Sequence, residues 1–240
     1  MAKTQRREID LLGETVEYDV RRSSDATKPR IDVDIHGVRV VVPESGEVQP
    51  VDLLKENAVW VIEKKREYDA YRAHVPERNY EEGATFPYLG EQCEVVVERR
   101  PSSSVENGTL RLARHHVEDT SVKRALETLY RRKAREVFEE RADHFAEQMD
   151  VEYEQIEIRR QRTKWGSCST TGTLGLNWRL MMAPREIFDY IVIHELAHLQ
   201  ESNHTDSFWS LVAEHDPAYE SHATWLEENS TQLIFSHDDL

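Results

Sequence analysis

The sequence has few cysteines, no long apolar run and a shortage of basic residues. Only two of its 240 residues are cysteines, Cys93 and Cys168, which are too few for a disulfide framework and fit a reducing compartment. No apolar stretch approaches the roughly 20 residues that a membrane-spanning helix needs. The first residues, MAKTQRREID, contain no apolar segment of the signal-peptide type. We therefore expect a cytoplasmic protein without a membrane-spanning helix.

The shortage of positive charge restricts the possible partners. Lys and Arg number 31 against 46 Asp and Glu, so the formal net charge is −15. Binding to nucleic acid or to anionic membranes needs positive potential, and the acidic balance disfavours both. An acid excess with few bulky apolar side chains is typical of proteins from salt-loving organisms, which makes a halophilic source a hypothesis.

Apolar periodicity predicts an α+β fold with two parts. Residues 1–14 are polar and predicted to be loosely held. Alternation with a period of two indicates strands within residues 15–42 and 91–112, with a hairpin turn at Asn107-Gly108. Longer periods predict helices over about 51–74 and 120–149. We predict a β-rich N-terminal region with one helix at 1–114 and a second domain at 115–240.

The segment Ala183–Trp209 contains the motif on which the functional hypothesis depends. It reads His194-Glu195-Leu196-Ala197-His198, an H-E-x-x-H pattern. Residues four apart lie on the same face of a helix, so His194 and His198 can direct their imidazoles at one point. This spacing suits two ligands of a zinc ion. Glu195 lies beside the ligands, where its carboxylate can take a proton from a metal-bound water.

The surroundings of the motif support a buried metal site. The predicted helix is apolar nearly all the way round, and buried ionisable groups are costly unless they are paired or bound to a metal. His204 follows after a short polar segment, and a second helical pattern begins beyond it, so this imidazole can return toward the metal. Three neutral histidines leave a fourth position for water.

Residues other than His204 could supply the third metal ligand. A downstream glutamate is one arrangement, for which Glu214 and Glu220 are the candidates. In metzincins the third histidine has the spacing of His204, but a glycine occupies the position of Glu201 and a Met-turn follows downstream. This chain has neither feature, so we keep His204 as the ligand without a metzincin fold.

The same region resembles a known family. Residues Thr163 to Trp209 resemble the YgjP-like metallopeptidases, which are relatives of the SprT-like zinc peptidases. The resemblance includes W-G-S-C at Trp165 to Cys168, L-N-W-R-L at Leu176 to Leu180, and F-W after the third histidine. It implies a small N-terminal β-rich part followed by a helical zincin-like metallopeptidase domain with a short antiparallel sheet. It also implies zinc at His194, His198 and His204, with Glu195 as the general base.

These observations predict a zinc-dependent metallopeptidase acting on a peptide or protein. We expect Trp165 and Gly166 to form a wall of the substrate cleft, because a glycine beside a large aromatic suits a close approach of another chain. The strand Leu174–Asn177 is a candidate edge for an extended substrate, which would bring Asn177 into contact with it. Tyr219 is a candidate to stabilise an oxyanion, with packing as the alternative.

Two alternative functions keep the metal. A zinc hydrolase with Lys164, Arg162 and Arg179 nearby could cleave a phosphoanhydride such as a nucleotide, although the sequence has no Gly-rich phosphate loop. A DNA-associated module could use the zinc structurally, but it would not need Glu195. That residue therefore distinguishes an enzyme from a module.

Overall fold

The computed structural model describes residues 5–44, 48–160 and 164–236. The chain divides into two compact units, Met1–Pro76 and Glu77–Asp239. Strands and helices occur in both, which confirms the predicted α+β class. None of the helices in the described ranges is long and apolar enough to span a bilayer.

A four-stranded sheet and two helices form the N-terminal unit. The period-two alternation of Val16, Tyr18 and Val20 buries one face of the sheet. The strand order is β1-β2-β4-β3, in which β2 and β4 run parallel and the other pairs antiparallel. Its elements are β1 (Gln5–Leu11), β2 (Glu14–Ser23), β3 (Arg30–Asp34), β4 (Gly37–Pro43), α1 (Pro50–Glu56) and α2 (Ala58–Ala73).

Two expectations for this unit were wrong in detail. Gln5–Leu11, expected to be loosely held, forms an edge strand that pairs with β2. The single helix expected over 51–74 is interrupted at Asn57, which has non-helical backbone angles (φ −110°, ψ 20°). The Asn57 side-chain amide donates to the Leu53 carbonyl at 2.8 Å. Asparagine bonds to nearby backbone in this way and so favours helix ends over helix interiors.

The second unit begins with a sheet of the same topology. Its strand order, β5-β6-β8-β7, again places one parallel pair between two antiparallel ones. The predicted turn is confirmed, because Asn107 and Gly108 both have positive φ (50° and 69°). The strands are β5 (Thr85–Tyr88), β6 (Glu91–Glu98), β7 (Ser104–Glu106) and β8 (Thr109–Ala113).

The long helix α4 (Val122–Met149) follows the short α3 (Arg114–Asp119). It supports the helix that carries the H-E-x-x-H motif. It begins at Ser121, whose hydroxyl accepts a hydrogen bond from the Arg124 amide. Its apolar stripe packs against α5 (Arg185–Ala197), where the rings of Phe138 and Phe188 stack with centroids 4.2 Å apart. Arg141 donates two hydrogen bonds, of 2.7 and 2.9 Å, to the Asp189 carboxylate on the same interface.

A small three-stranded sheet lies beside the motif helix. β11 (Thr173–Asn177) is its central strand, parallel to β9 (Gln155–Arg159) and antiparallel to β10 (Gly166–Cys168). The expectation that β11 is an edge was therefore wrong, since β10 takes the edge position. The sheet is also mixed, with one parallel pair. A 3-10 helix, Trp178–Met182, follows β11 directly.

The remaining elements are helical, and one core joins most of this unit. Apolar residues of β6 and β8 share a buried cluster with those of α4 and α5. The compact units thus separate after Pro76, ahead of the boundary expected at residue 114, and separate folding of residues 115–240 stays a prediction. The last elements are α6 (Asp206–His215), α7 (Tyr219–Asn229) and a second 3-10 helix, Ser230–Leu233.

Candidate active site

The last turn of α5 carries the first two histidines. The helix is buried on nearly every side, including Ile191, Val192 and Leu196, as expected for a helix that is apolar all round. His194 lies within it and His198 at its C-terminal end. Their ring centroids are 5.0 Å apart, so the i, i+4 spacing brings the two imidazoles together as predicted.

His204 completes the cluster from the segment before α6. Thr205 caps that helix by accepting a hydrogen bond from the Phe208 amide. This cap fixes the backbone of His204, which directly precedes it. The His204 ring centroid lies 5.0 Å from that of His194 and 4.8 Å from that of His198. One ligand atom from each of the three histidines lies within 4.8 Å of the others. Among the described residues, Glu214 and Glu220 do not join this cluster.

The histidine nitrogens have the arrangement of a metal-binding set. His204 Nε2 and His194 Nε2 are 3.1 Å apart, close to the roughly 3.3 Å between two nitrogens bound at about 2.0–2.1 Å to tetrahedral zinc. His198 Nδ1 lies 3.1 Å from the Glu201 carbonyl. Because a carbonyl only accepts, Nδ1 carries the proton and Nε2 keeps its lone pair for a metal.

Burial keeps the first two histidines neutral. Burial, together with the neighbouring His198 and His204 imidazoles, lowers the pKa of His194 to about 3. Burial also lowers the pKa of His198, although its hydrogen bond to the Glu201 carbonyl acts in the opposite direction. Neutral imidazole is the form that binds metals. Two neutral nitrogens facing each other at hydrogen-bond distance need a cation or a shared proton between them, and three such nitrogens suit zinc.

Glu195 lies beside the histidines, against the small sheet. Its side chain is buried, with only 5% of the residue exposed. Burial raises the pKa of Glu195 to about 7, and the Lys164 ammonium acts in the opposite direction. It packs against the α-carbon of Gly166, where a β-carbon would lie 2.6 Å from Cγ and 2.7 Å from Cδ of Glu195. A buried carboxylate with this pKa can exchange a proton near neutral pH.

Comparison with known proteins identifies the fold family of this site. A family described as YgjP-like, metallopeptidase domain, matches residues 27–229. The chain belongs to the YgjP-like metallopeptidase family. This confirms the resemblance seen in the sequence and supports a metallopeptidase with a metal cofactor.

Other comparisons add little to this assignment. No curated protein sequence matches the chain. A solved structure, the metallopeptidase zymogen of Pyrococcus abyssi abylysin, aligns with 24% identity and a TM-score of 0.36, covering 40% of this chain and 99% of that one.

The W-G-S-C segment of this YgjP-like chain is fixed by Asn177. The Asn177 backbone amide donates to the Trp165 carbonyl at 2.9 Å, and its side-chain amide donates to the Lys164 carbonyl at 3.2 Å. Its side-chain oxygen accepts from the Arg179 amide at 3.2 Å. Asn177 is 3% exposed, so these hydrogen bonds give its side chain a role in positioning the neighbouring segment. Contact of Asn177 or Trp165 with a substrate stays a prediction.

Aromatic residues hold the exposed His204, and two of them, Phe208 and Trp209, were not predicted to be site residues. The Trp209 ring stacks on His204 at 5.5 Å and 22°, and Tyr219 stacks on Trp209 at 5.2 Å and 17°. Phe208 is fully buried with its ring 4.6 Å from that of His198. The F-W pair after the third histidine was the available signal. An oxyanion role for Tyr219 stays a prediction.

The basic residues of the phosphoanhydride alternative do not gather at an open surface. Lys164 is exposed, but Arg179 is 2% exposed, with its guanidinium 5.3 Å from the centroid of the Trp178 ring. Arg162 lies outside the described residues. Nothing in this distribution favours a phosphate substrate.

Proposed function

We propose that this protein is a zinc-dependent peptidase that hydrolyses peptide bonds with Glu195 as general base. The observation that supports this most directly is the convergence of three histidines, two of them with Nε2 atoms 3.1 Å apart, beside one buried carboxylate. In this proposal His194, His198 and His204 hold the metal. A zinc ion held there would polarise the substrate carbonyl and lower the pKa of a water molecule.

The work of the chain itself is the transfer of a proton. The Glu195 carboxylate accepts a proton from the attacking water and later delivers it to the leaving amine nitrogen. Its position one residue from His194 on α5 places it beside the ligands without making it one of them. The apolar surroundings of α5 exclude bulk water, so the carboxylate does not exchange its proton with bulk solvent during the reaction.

The edge strand β10 is the proposed place for the substrate backbone. Within the described residues β10 pairs only with β11, which leaves its other edge for an extended peptide. Gly166 and Ser167 in this strand have small side chains, which allows another backbone to approach closely. A peptide added there would run past Glu195, because Gly166 packs against that side chain.

The deciding experiment replaces Glu195 by glutamine, which keeps the size of the side chain but cannot accept the proton. We expect Glu195→Gln to keep one zinc per chain and the melting temperature, while hydrolysis of fluorescein-labelled casein falls by about 10²–10⁴-fold. Glu186→Gln, the same change at an exposed position of α5, is the matched control and should leave turnover unchanged. Hydrolysis by Glu195→Gln at the wild-type rate would show that Glu195 is not the base. A wild-type protein that binds zinc but cleaves neither casein nor other unfolded proteins would favour a structural zinc.

A further inference from the structure

Position 166 requires a glycine because a neighbouring side chain leaves no room for a β-carbon, and not because of its backbone angles. Glycines with positive φ occur elsewhere in the described chain, and Gly166 is not among them. Its backbone therefore allows any residue. The surrounding side chains do not allow one, since a β-carbon at this position would come within 2.6 Å of Glu195 Cγ and 2.7 Å of Cδ, and closer still to Oε1. Contacts below about 3.5 Å between carbon atoms are repulsive.

Neither partner can move away easily. Glu195 is 5% exposed, so its side chain could avoid a β-carbon at Gly166 only by changing rotamer within its buried surroundings. The Gly166 backbone is held by its pairing with Leu176 in β11. The two bonds from Asn177 to the carbonyls of Lys164 and Trp165 hold the residues just before it.

We propose that Gly166 is a positioning residue: its lack of a side chain sets the orientation of the Glu195 carboxylate beside the histidine cluster. The inference rests on the proposed function of Glu195 and adds a residue to that site. It also gives Gly166, which was expected to form a wall of the cleft, a defined partner in Glu195. A misplacement of about 1 Å of a catalytic group can cost about 10²-fold in rate, so the β-carbon of an alanine should suffice to disturb the reaction.

A matched control exists in the same sheet. A β-carbon at Gly175, on β11, would lie 2.5 Å from Arg159 Nε and 2.6 Å from Ser167 Oγ. Gly175→Ala therefore introduces a clash in the same three strands against side chains other than Glu195, although the partly exposed Arg159 can move aside more easily than Glu195. Damage to the sheet alone should make neither alanine variant sensitive to removal of the Glu195 side chain, whereas positioning of Glu195 makes Gly166→Ala sensitive to it and leaves Gly175→Ala unaffected.

The first measurement is independent of activity. We expect Gly166→Ala to lower the melting temperature, as overpacking does, and to lower it much less when combined with Glu195→Ala, which removes the clashing atoms. Gly175→Ala should lower it equally with and without Glu195→Ala. Zinc content of Gly166→Ala should stay at the wild-type level. Equal losses for Gly166→Ala in the two backgrounds would overturn the contact and the proposal with it.

The second measurement tests the consequence for turnover. With fluorescein-labelled casein, we expect Gly166→Ala to lower kcat by about 10- to 100-fold with KM nearly unchanged, and Gly175→Ala to lower kcat far less. A wild-type kcat in Gly166→Ala would overturn the positioning role. If the wild type cleaves no casein, the proposed function fails separately, and the coupling between Gly166→Ala and Glu195→Ala still decides whether Gly166 holds the carboxylate.

Discussion

At the scale of single residues, the three histidines are held in unequal ways. His194 and His198 are partly buried on one helix, so their separation follows from helix geometry. His204 is exposed and belongs to an irregular segment. Its position depends on the Thr205 cap and on the stacked Trp209 ring. Among the three proposed ligands, His204 is therefore the one that most needs a direct test.

We expect His204→Ala to lose zinc while keeping most of the fold. Loss of a residue that only orients a ligand typically costs about 10–100-fold in metal affinity, so loss of the ligand itself should cost more. Because His204 is exposed, its removal leaves no buried cavity and the melting temperature of the metal-free protein should change little. Elemental analysis after dialysis, with competition by a zinc indicator, measures the affinity.

The control for this variant is His115→Ala, which removes an exposed histidine from α3, outside the cluster. It should retain the zinc content of the wild type. Full zinc occupancy in His204→Ala would instead show that the metal is held without this residue. Glu214 and Glu220 would then be the next positions to substitute.

At the scale of elements, the position of β10 relative to α5 depends on one buried side chain. Asn177 ends β11 and begins the 3-10 helix, where its oxygen caps the Arg179 amide. The Asn177 side-chain amide donates to the Lys164 carbonyl, and the Asn177 backbone amide donates to the Trp165 carbonyl. The end of one strand thus fixes the start of the neighbouring strand, which carries Gly166 to Glu195.

We expect Asn177→Ala to destabilise the protein by about 1–3 kcal/mol, because it leaves the buried Arg179 amide and the partly buried Lys164 carbonyl without their side-chain partner. Urea unfolding monitored by tryptophan fluorescence measures the free energy of unfolding. Asn229→Ala is the comparison, since it removes a more exposed amide that donates to the Trp225 carbonyl at 2.8 Å, and it should cost less. A loss for Asn177→Ala no larger than that for Asn229→Ala would show that the hydrogen bonds of the Asn177 side chain contribute little to stability.

Local patterns predicted the helical part of this site well. The pair His194 and His198 follows from a spacing of four residues, and the hairpin turn at Asn107-Gly108 from two adjacent residue types. The arrangement of β10 at the edge and β11 in the centre was not predicted, because strand pairing joins residues that are distant in sequence and have the same period of two. The contact between Gly166 and Glu195 was missed because it joins a strand to a helix, and no local pattern links the two positions.

Two features of the sheets were also beyond the sequence patterns. The edge strand β1 alternates the charged residues Glu8 and Asp10 with the apolar Ile9 and Leu11, and an edge strand with one solvated face carries only a weak apolar signal. The shared strand order of the sheets in the two units was not visible either. Topology is kept by backbone pairing, which different side chains can support.

At the scale of the whole molecule, the dominant electrostatic feature is the formal charge of −15. The family match spans both compact units, from residue 27 to residue 229. Exposed ion pairs are numerous on α4, including Arg132 with Glu136 and Arg135 with Glu139. Pairs of this kind contribute only about 0.3–0.5 kcal/mol each, whereas the excess of like charge acts against the compact state as a whole.

These two effects respond to salt with opposite signs, and their sizes predict which one dominates. Added salt weakens the exposed pairs, but it also screens the repulsion among the excess carboxylates, since the screening length falls from about 10 Å at 0.1 M to about 3 Å at 1 M. We expect the melting temperature to rise as potassium chloride is increased from 0.05 to about 1 M. Sucrose at equal osmolality is the control for effects of solute exclusion, and it should produce a different dependence, without the steep rise at low concentration that screening causes. A melting temperature that stays flat or falls with salt would mean that the attractive pairs balance the repulsion, and the hypothesis of a salt-adapted protein would have to be abandoned.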